Sequence, residues 1–396
     1  MTKKINLVFM GGFTYPRGMA GTKRIQNIIG ALKQYPGITA RVILQRQSSE
    51  LNILSGVHEG TPYETVMGDL LRAKMVAALP LLYCRTIAAL KRAYRPEQRN
   101  VIYFYGPLFL ESVVPLSYAQ RLGYKIVFDV NEDHGLAKAV SRSFLQYVRS
   151  TIASRISSRI KELSAGIVVI SSYLEEKCRL LTQGRVPIHY MPISVDLERF
   201  PVKPGRMNPT VSLLYAGSFG RKDGVPILLD AFDRLAGDYG DVRLMLTGRG
   251  DSEAMKEFLA RVEISPHKDR IEYKGYLDEK EYYSLLNEAD IPCMTRVDLA
   301  FANAGFPFKL GEFLATGKPV IASRVSDVDR FLVHGENAML VQAGSSTDVC
   351  EAVEFLINNP DTAAAIGARG RKVAESFFDC NRQGKALLAF FEIVCS

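Results

Sequence analysis

The sequence predicts an α/β protein made of two doubly wound domains, and three observations lead to this fold class. The chain has 396 residues, which is too long for one ordinary hydrophobic core and suits two domains. A strand that opens into a glycine-rich turn begins twice, at residues 5 and 211. Residues 201–209, PVKPGRMNP, contain three prolines, as a linker would. We therefore predict domains at 1–200 and 210–376, this linker between them, and a C-terminal helix at 377–396.

Composition places the chain among globular proteins, with 47% apolar and 23% charged residues. The start, MTKKINLVFMGGFTY, has too short an apolar run for a signal peptide and predicts a first strand. No apolar run approaches the ~20 residues that span a bilayer. The six cysteines are scattered without a C-x-x-C pair, which argues against a zinc site and a disulfide framework. A cytoplasmic location is therefore expected.

Positive charge is concentrated in one quarter of the chain. The formal net charge is +8, and residues 65–165 hold 15 Lys or Arg against 7 Asp or Glu, which accounts for the whole excess. A basic surface of this kind serves anionic lipid, nucleic acid or a phosphorylated acceptor. No nucleic-acid-binding motif accompanies it, so nucleic acid ranks last among these partners.

The first predicted strand runs into Gly11 and Gly12, and a helix follows the loop after them. A strand, a glycine turn and a helix in this order let the backbone approach a phosphate. The turn is not a G-x-G-x-x-G fingerprint, so a nicotinamide cofactor is not indicated. A turn that only reverses the chain is the alternative, but Arg17, Lys23 and Arg24 in or beside the loop favour ligand contact.

Two further buried strands are predicted at 101–105 and 125–130, and the second ends in NEDHG. Open α/β sheets bind ligands beyond the carboxyl ends of their strands, so Asp133 and His134 stand where a substrate is expected. We name these two residues as catalytic candidates. The alternative for His134 is a structural histidine.

Two helical regions of the first domain are basic. One is predicted at about 65–95 with an interruption at Pro80, and the other, at 136–163, has an apolar stripe with Arg and Lys at its margins. An apolar face with basic margins is how a helix lies in a lipid interface. A helix that packs on its own domain with solvated arginines is the alternative.

The second domain opens with VSLLYAGSFGRKDG, in which Arg221 and Lys222 lie in the glycine-rich turn. Two adjacent cations beside unpaired amides suit a diphosphate, whose charge must be balanced. A solvated turn is the alternative. Farther along, Asp327 and Asp329 form an Asp-x-Asp pair on a predicted helix, which we interpret as a surface face, and we predict no catalytic metal.

The stretch NAGFPFKLGEFLATGKPVIAS, residues 303–323, predicts a turn, a short helix and a buried strand. Pro307 suits the first helical position and Gly317 a left-handed stop. Lys309 and Glu312 share a face because they are three residues apart, and amides after Gly305 favour an anion. The stripe predicted to be buried is Leu310, Phe313, Leu314 and Gly317.

This stretch resembles the donor-site signature of retaining glycosyltransferases of family four, which have the GT-B arrangement of two Rossmann-like domains with a cleft between them. Gly305, Phe306, Glu312 and the run GKPVIAS match the pattern, while Ala304, beside Asn303, stands where the family has its first glutamate. The resemblance implies that Glu312 binds the nucleotide ribose. It implies nucleotide binding more firmly than sugar binding, because the first glutamate is the one associated with the sugar.

The resemblance extends over most of the chain. Pro192, Val195, Asp196 and Phe200 match a family segment at the interdomain hinge, and the loop at 274–277 would border the nucleotide base. Two basic positions of the family's phosphate turn are Ser218 and Asp223 here, so the charges are shifted along the loop. The residues expected to bind the donor are Gly11, Gly12, Arg221, Lys222, Asn303, Gly305, Phe306, Lys309, Leu310 and Glu312.

The leading hypothesis from sequence is a retaining, metal-independent glycosyltransferase without a cofactor. It would use a nucleoside-diphosphate sugar as co-substrate and a cell-envelope glycan or a lipid-linked acceptor, with His134 steadying the sugar. It would be cytoplasmic and peripheral on the inner membrane face. The alternatives are a catalytically silent homologue that binds a nucleotide sugar or a partner glycosyltransferase, motivated by Ala304, and an epimerase of nucleotide sugars.

Overall fold

The computed structural model describes residues 4–47, 53–68, 75–137, 144–201, 208–220 and 222–396. The chain divides into two compact units. The first comprises Met1–Pro192 and Cys380–Ser396, and the second is Ile193–Asp379. Each unit is a parallel or almost parallel sheet flanked by helices.

The described residues of the first unit contain an eight-stranded sheet in the order β3-β4-β2-β1-β5-β6-β7-β8. Only β3 runs antiparallel to its neighbour in this described sheet. The strands are β1 (Ile5–Gly11), β2 (Ile38–Arg46), β3 (Ser55–His58), β4 (Thr61–Met67), β5 (Arg99–Tyr105), β6 (Lys125–Val130), β7 (Gly166–Val169) and β8 (Ile188–Tyr190). The helices before residue 193 are α1 (Ala20–Lys33), α2 (Met75–Ala93), α3 (Leu110–Leu122), α4 (His134–Ala137), α5 (Phe144–Ser157), α6 (Ile160–Leu163) and α7 (Ser172–Thr182).

The second unit has a six-stranded, all-parallel sheet in its described residues, in the order β11-β10-β9-β12-β13-β14. The strands are β9 (Val211–Ser218), β10 (Val242–Arg249), β11 (Ile271–Tyr273), β12 (Ile291–Met294), β13 (Ile321–Ser323) and β14 (Met339–Val341). The helices are α8 (Val225–Asp238), α9 (Ser252–Glu263), α10 (Glu279–Glu288), α11 (Ala300–Ala304), α12 (Lys309–Ala315), α13 (Ser346–Asn358) and α14 (Pro360–Val373). Its core is formed by apolar side chains of β9, β10 and α8 together with those of α13.

Each sheet has a point at which the strand order reverses. In the first unit β1 lies between β2 and β5, and in the second β9 lies between β10 and β12. Ligands of open α/β sheets bind at the carboxyl ends of the strands on either side of such a point. The turns that follow β1, β5, β9 and β12 are therefore the places where a site is expected.

The last helix, α15 (Cys380–Val394), belongs to the first unit, in the segment predicted to cross back. Its apolar face joins the core that α1 and the central strands form. Gly384 lies so close to α1 that a Cβ atom there would be 2.5 Å from the Cβ of Ala31. The ring of Phe391 lies edge-on to that of Tyr103, with 6.2 Å between centroids.

The boundary between the units differs from the predicted one. The first unit ends at Pro192, not at residue 200, because the next residues are bonded to the second unit. The amide of Val195 donates to the Phe378 carbonyl at 2.7 Å, and Val195 forms a bridge with Asp379. Most of the predicted linker, 202–207, lies outside the described residues.

Two helix predictions for the first unit were wrong in their bounds. The region predicted as helical from about 65 begins with the end of β4, and α2 starts at Met75 and runs through Pro80. The single helix predicted at 136–163 is interrupted at residues 158 and 159, between α5 and α6, and residues 138–143 lie outside the described part. Among the described helices, none has the length and apolarity needed to cross a membrane.

Candidate active site

The predicted motif 303–323 folds almost as its residues indicate. Helix α12 starts at Lys309, two residues after Pro307, and the chain then turns through Gly317 with φ of +72°. This left-handed backbone favours glycine because a Cβ atom would crowd the preceding carbonyl. Leu310, Phe313 and Leu314 of the predicted stripe are buried and fix the helix on its unit, which leaves Lys309 and Glu312 on another face, whereas Gly317, beyond the helix end, is only half-buried.

Lys309 and Glu312 meet a third side chain, Tyr282 of α10. The Tyr282 hydroxyl donates to Oε2 of Glu312 at 2.6 Å, and the Lys309 ammonium donates to the same hydroxyl at 2.9 Å. Lys309 Nζ also lies 3.3 Å from Oε2 and 4.2 Å from the centroid of the Tyr282 ring. Burial of the hydroxyl and the charge of Glu312 raise the pKa of Tyr282 well above its usual value, so it remains a donor. The side chains of Lys309 and Glu312 are 31% and 12% exposed.

Tyr282 is a site residue that sequence analysis missed. Its helix begins at a capping box in which Asp278 and Glu281 bond each other's backbone amides. Tyr283, the next residue, packs edge-on against Phe200. In sequence the two tyrosines look like part of an ordinary amphipathic helix, and nothing local separates the one that reaches Glu312 from its neighbour.

The turn after β9 carries a carboxylate inside it. Asp223 is buried and its Oδ2 accepts bonds from Ser218 Oγ at 2.6 Å and from the Gly220 amide at 3.0 Å. It thus closes the turn from within, and a basic group at this position is absent. Lys222 lies with its ammonium 4.9 Å from the centroid of the Phe301 ring of α11. Arg221 lies outside the described residues.

The loop that leaves β12 is fixed against the same turn. Thr295 Oγ1 donates to the Gly224 carbonyl at 3.2 Å, and a Cβ atom at Gly224 would lie 3.0 Å from the Thr295 carbonyl carbon. The amide of Arg296 donates to Ser323 Oγ at 2.9 Å. These contacts join the carboxyl ends of β9, β12 and β13, where the strand order reverses. Arg296 was not singled out from sequence.

The side chains of the other donor-site candidates in this motif are packed or hydrogen-bonded within the protein. Phe306 is buried between Phe331 and Phe378, and Leu310 is fully buried. Their contact with a ligand is therefore limited to backbone atoms, and Gly305, between α11 and α12, has no side chain. Asn303 Nδ2 donates to Asp298 Oδ1 at 2.7 Å, and its Oδ1 accepts from the Ser326 amide at 3.4 Å.

Ala304, where the resembling family has its first glutamate, is 1% exposed. Asp327 is buried, which corrects the prediction that the Asp-x-Asp pair is a surface face, since only Asp329 is exposed. In the described part of the chain, no group of three or more His, Cys, Asp or Glu side chains is arranged as metal ligands.

An aromatic ring and a guanidinium lie at the carboxyl ends of β10 and β11. Arg249 ends β10, and its guanidinium carbon is 4.7 Å from the centroid of the Tyr276 ring, which is 51% exposed. Tyr276 belongs to the loop predicted to border a nucleotide base. A flat exposed surface of this kind offers a stacking partner for a heterocycle.

In the first unit, the glycine turn after β1 is held close to β5. Gly11 has φ of +127°, and a Cβ atom there would lie 2.1 Å from the Tyr105 carbonyl oxygen. The Gly12 amide donates to that oxygen at 2.8 Å. The turn thus requires glycine for close packing, and the Gly12 amide is already bonded within the protein.

Arg24 does not contact a ligand, contrary to the prediction. Its Nε donates to Asp129 Oδ2 at 2.7 Å, and its Nη1 and Nη2 donate to the carbonyls of Pro192 and Met191 at 2.6 and 3.0 Å. Tyr103 donates to the same Asp129 oxygen at 2.8 Å. The side chains of Arg24 and Asp129 are 1% and 0% exposed, so this cluster fixes the end of the first unit and cannot meet a substrate.

Asp133 is also engaged inside the protein. It accepts from Lys177 at 2.5 Å, from the Tyr173 hydroxyl at 2.8 Å and from the Gly135 amide at 2.8 Å, and its side chain is 2% exposed. Burial alone would raise its pKa, but the bonds from Lys177 and Tyr173 lower it below the usual value. This geometry suits a residue that shapes the loop. His134 is the first residue of α4, and its catalytic role stays a prediction.

Comparisons with known proteins concern the family and the fold of the chain. Residues 210–359 match the family model described as Glycosyl transferases group 1. A phosphatidyl-myo-inositol mannosyltransferase of Mycobacterium leprae is 30% identical over 169 residues, which is 42% of this chain and 43% of that protein. The chain spans less than half the length of the curated relatives it matches in this way.

Solved structures resemble the chain over its whole length. The sucrose-phosphate synthase of Thermosynechococcus elongatus has a TM-score of 0.77 at 16% identity, with 98% of this chain and 99% of that chain covered. HepE of Anabaena, solved in complex with UDP-glucose, has a TM-score of 0.71 at 16% identity, with 97% and 99% covered. At this identity the likeness concerns the fold.

Proposed function

Since the chain has the GT-B fold and its residues 210–359 are a glycosyltransferase group 1 segment, we propose that it is a retaining glycosyltransferase that uses a nucleoside-diphosphate sugar. The observation that carries this proposal is the contact of Lys309, Tyr282 and Glu312 in the first turns of α10 and α12, on the carboxyl-end side of the second sheet. This arrangement offers a cation and a carboxylate together at the place where such sheets bind ligands.

Glu312 is assigned to the ribose of the donor. Tyr282 and Lys309 both donate to Oε2 of Glu312, and Oε1 accepts no bond from the described residues. A carboxylate oxygen can accept from vicinal hydroxyl groups, as a ribose presents them. The exposed pair of Arg249 and Tyr276 would then border the base, at the carboxyl end of neighbouring strands.

Lys309 and Lys222 are assigned to the diphosphate. The anomeric C–O bond to the diphosphate breaks while the acceptor oxygen forms its bond on the same face of the sugar, and the acceptor proton passes to the leaving phosphate oxygen. Negative charge grows on the diphosphate during this step. Fixed ammonium groups stabilise that charge without a metal ion. His134 would steady the sugar.

The acceptor is proposed to be a lipid-linked or cell-envelope glycan, bound by the first unit at an anionic inner membrane surface. Three of the carboxylates of residues 65–165 are buried, namely Glu111, Asp129 and Asp133. The exposed surface of this region is therefore more basic than its net charge, counted from the sequence, indicates. Apolar side chains stand exposed on α2 and α3 among these cations, including Leu81, Leu110 and Val114. Apolar contact and positive charge together favour lipid.

Vesicle sedimentation tests this membrane association. The protein should sediment with phosphatidylglycerol vesicles at low salt and leave them as salt screens the charges, while phosphatidylcholine vesicles serve as the control. Equal binding to both vesicle types, or to neither, would reject the anionic surface as a partner.

The enzyme assignment is tested by nucleotide release and calorimetry. A panel of nucleoside-diphosphate sugars with membrane lipid extracts should give acceptor-dependent release of the nucleotide. Glu312→Ala should raise the donor dissociation constant about tenfold or more, on the ~1.5–3 kcal/mol of charged hydrogen bonds. Glu288→Ala, which removes an exposed glutamate of α10, is the matched control and should leave donor affinity unchanged. Unchanged affinity in Glu312→Ala would refute the role of this carboxylate.

A catalytically silent homologue that binds a nucleotide sugar or a partner glycosyltransferase is the second candidate. The buried Ala304, in place of the family's first glutamate, favours it. Tight donor binding without turnover for any donor and acceptor in the panel would support the silent form over the enzyme.

A further inference from the structure

The hydroxyl of Tyr282 stands between the two charged groups of the proposed donor site in a single possible direction. An ammonium has only donors and a carboxylate only acceptors, so Lys309 must donate to the hydroxyl and the hydroxyl must donate to Glu312. The distances of 2.9 and 2.6 Å fit this order. The chain of bonds therefore runs from Lys309 through Tyr282 to Oε2 of Glu312.

This order determines which atoms are left for a ligand. Oε2 takes one bond from Tyr282 and one from Lys309, at 2.6 and 3.3 Å. Within the described residues Oε1 has no donor, and Lys309 uses two of its three N–H groups. One oxygen of the carboxylate and one proton of the ammonium thus remain for a ligand that carries both hydroxyl groups and negative charge.

The Tyr282 side chain is itself fixed by its own unit. Its helix α10 starts at the Asp278 capping box, and the neighbouring Tyr283 packs on Phe200, with the Arg199 guanidinium 5.5 Å from the Tyr283 ring. The Tyr282 ring in turn lies under the Lys309 ammonium at 4.2 Å. A ring held in this way restricts the positions that both charged groups can take.

We propose that Tyr282 is a positioning residue that orients Glu312 toward the ribose hydroxyls and holds Lys309 for the diphosphate, an inference that rests on the proposed function. The hydroxyl and the ring have separate parts. The hydroxyl fixes the carboxylate, and the ring face keeps the ammonium in place. Tyr282 itself touches neither the sugar nor the phosphate.

The test is a cycle in which both the protein and the ligand lose a group. Calorimetry measures binding of UDP, GDP and their 2′,3′-dideoxy forms to the wild-type protein, Tyr282→Phe and Tyr283→Phe. Tyr282→Phe should raise the dissociation constant of UDP or GDP, whichever binds more tightly to the wild-type protein, about tenfold, because a hydrogen bond to a charged group is lost. The affinity for the 2′,3′-dideoxy form of that nucleotide should fall less than twofold in the same variant, because this ligand has no ribose hydroxyl from which Glu312 could accept a bond. Tyr283→Phe should change each affinity by less than twofold.

Tyr282→Leu provides a second variant, and thermal melting checks that both variants are folded. Tyr282→Leu should show the same loss of ribose recognition as Tyr282→Phe. In addition, its preference for the nucleoside diphosphate over the corresponding monophosphate should fall severalfold, because the ring under Lys309 is gone. Equal losses for the ribose and dideoxy ligands in both variants would overturn the inference and leave Tyr282 as a packing residue. A wild-type protein that binds neither UDP nor GDP would instead count against the proposed function.

Discussion

The two units each contain a cation, a carboxylate and a tyrosine in mutual contact. The two clusters differ in their exposure and in the hydrogen-bonding groups that remain available to a ligand. In the first unit Arg24, Asp129 and Tyr103 are buried, and four bonds from the guanidinium end on Asp129 and on backbone carbonyls. In the second unit the cluster of Lys309, Glu312 and Tyr282 is partly exposed and retains an acceptor without a partner among the described residues. Residue type alone does not distinguish the two clusters, and the unused acceptor of the second cluster is the reason why we propose a ligand site there and not in the first.

The largest effect is expected from the first cluster. Arg24→Met should lower the free energy of unfolding by about 3–5 kcal/mol, because it leaves the fully buried Asp129 charge without its partner. Urea unfolding measures this loss. Lys33→Met, which removes an exposed cation of the same helix, is the matched control and should lower it by less than about 1 kcal/mol.

The double variant Arg24→Met with Asp129→Leu sharpens this test. It removes both charges and should recover part of the lost stability, since well-packed apolar residues can replace a buried ion pair. If Arg24→Met unfolds at the same urea concentration as the wild-type protein, the first cluster is not structural and the contrast between the two clusters fails.

A smaller effect, confined to ligand binding, is expected from the second cluster. Lys309→Met should weaken binding of the nucleoside diphosphate about five- to tenfold and leave the free energy of unfolding within about 1 kcal/mol of the wild-type value, because the ion pair is partly solvated. Calorimetry with UDP or GDP and with the free nucleoside separates the phosphate contribution.

Lys256→Met, an exposed lysine of α9 in the same unit, controls for net charge. An equal loss for the nucleoside and its diphosphate would show that Lys309 acts on something other than phosphate. A loss of stability comparable to that of Arg24→Met would make the two clusters equivalent.

Local spacing was sufficient to predict much of the second unit. The left-handed stop at Gly317, which spacing predicted, is confirmed, and so is the GT-B class, which the resemblance to a known family implied. Lys309 and Glu312 were predicted to share a face because three residues separate them on a helix, and they are in contact. The turn at Gly317 and the contact of Lys309 with Glu312 depend on the geometry of one short stretch, which its own residues determine.

The features that were missed depend on contacts between distant parts of the chain. Tyr282 reaches Glu312 from 30 residues away, and Arg24 meets Asp129 across 105 residues. An arginine beside a glycine turn is indistinguishable in sequence from one that contacts a phosphate, because its burial is decided by a strand that comes much later. The boundary prediction failed similarly, since prolines mark a linker by composition while the hydrogen bonds of Val195 assign its segment to the second unit.

The helix α15 has a consequence for any attempt to dissect this protein. Phe390, Phe391 and Leu387 complete the core around β1 and α1. A fragment that stops at Pro192 would therefore have an incomplete hydrophobic core. An expressed version of the first unit alone therefore needs two separate segments of the chain, with Cys380–Ser396 joined after Met1–Pro192. The second unit, by contrast, is one continuous segment of the chain, Ile193–Asp379.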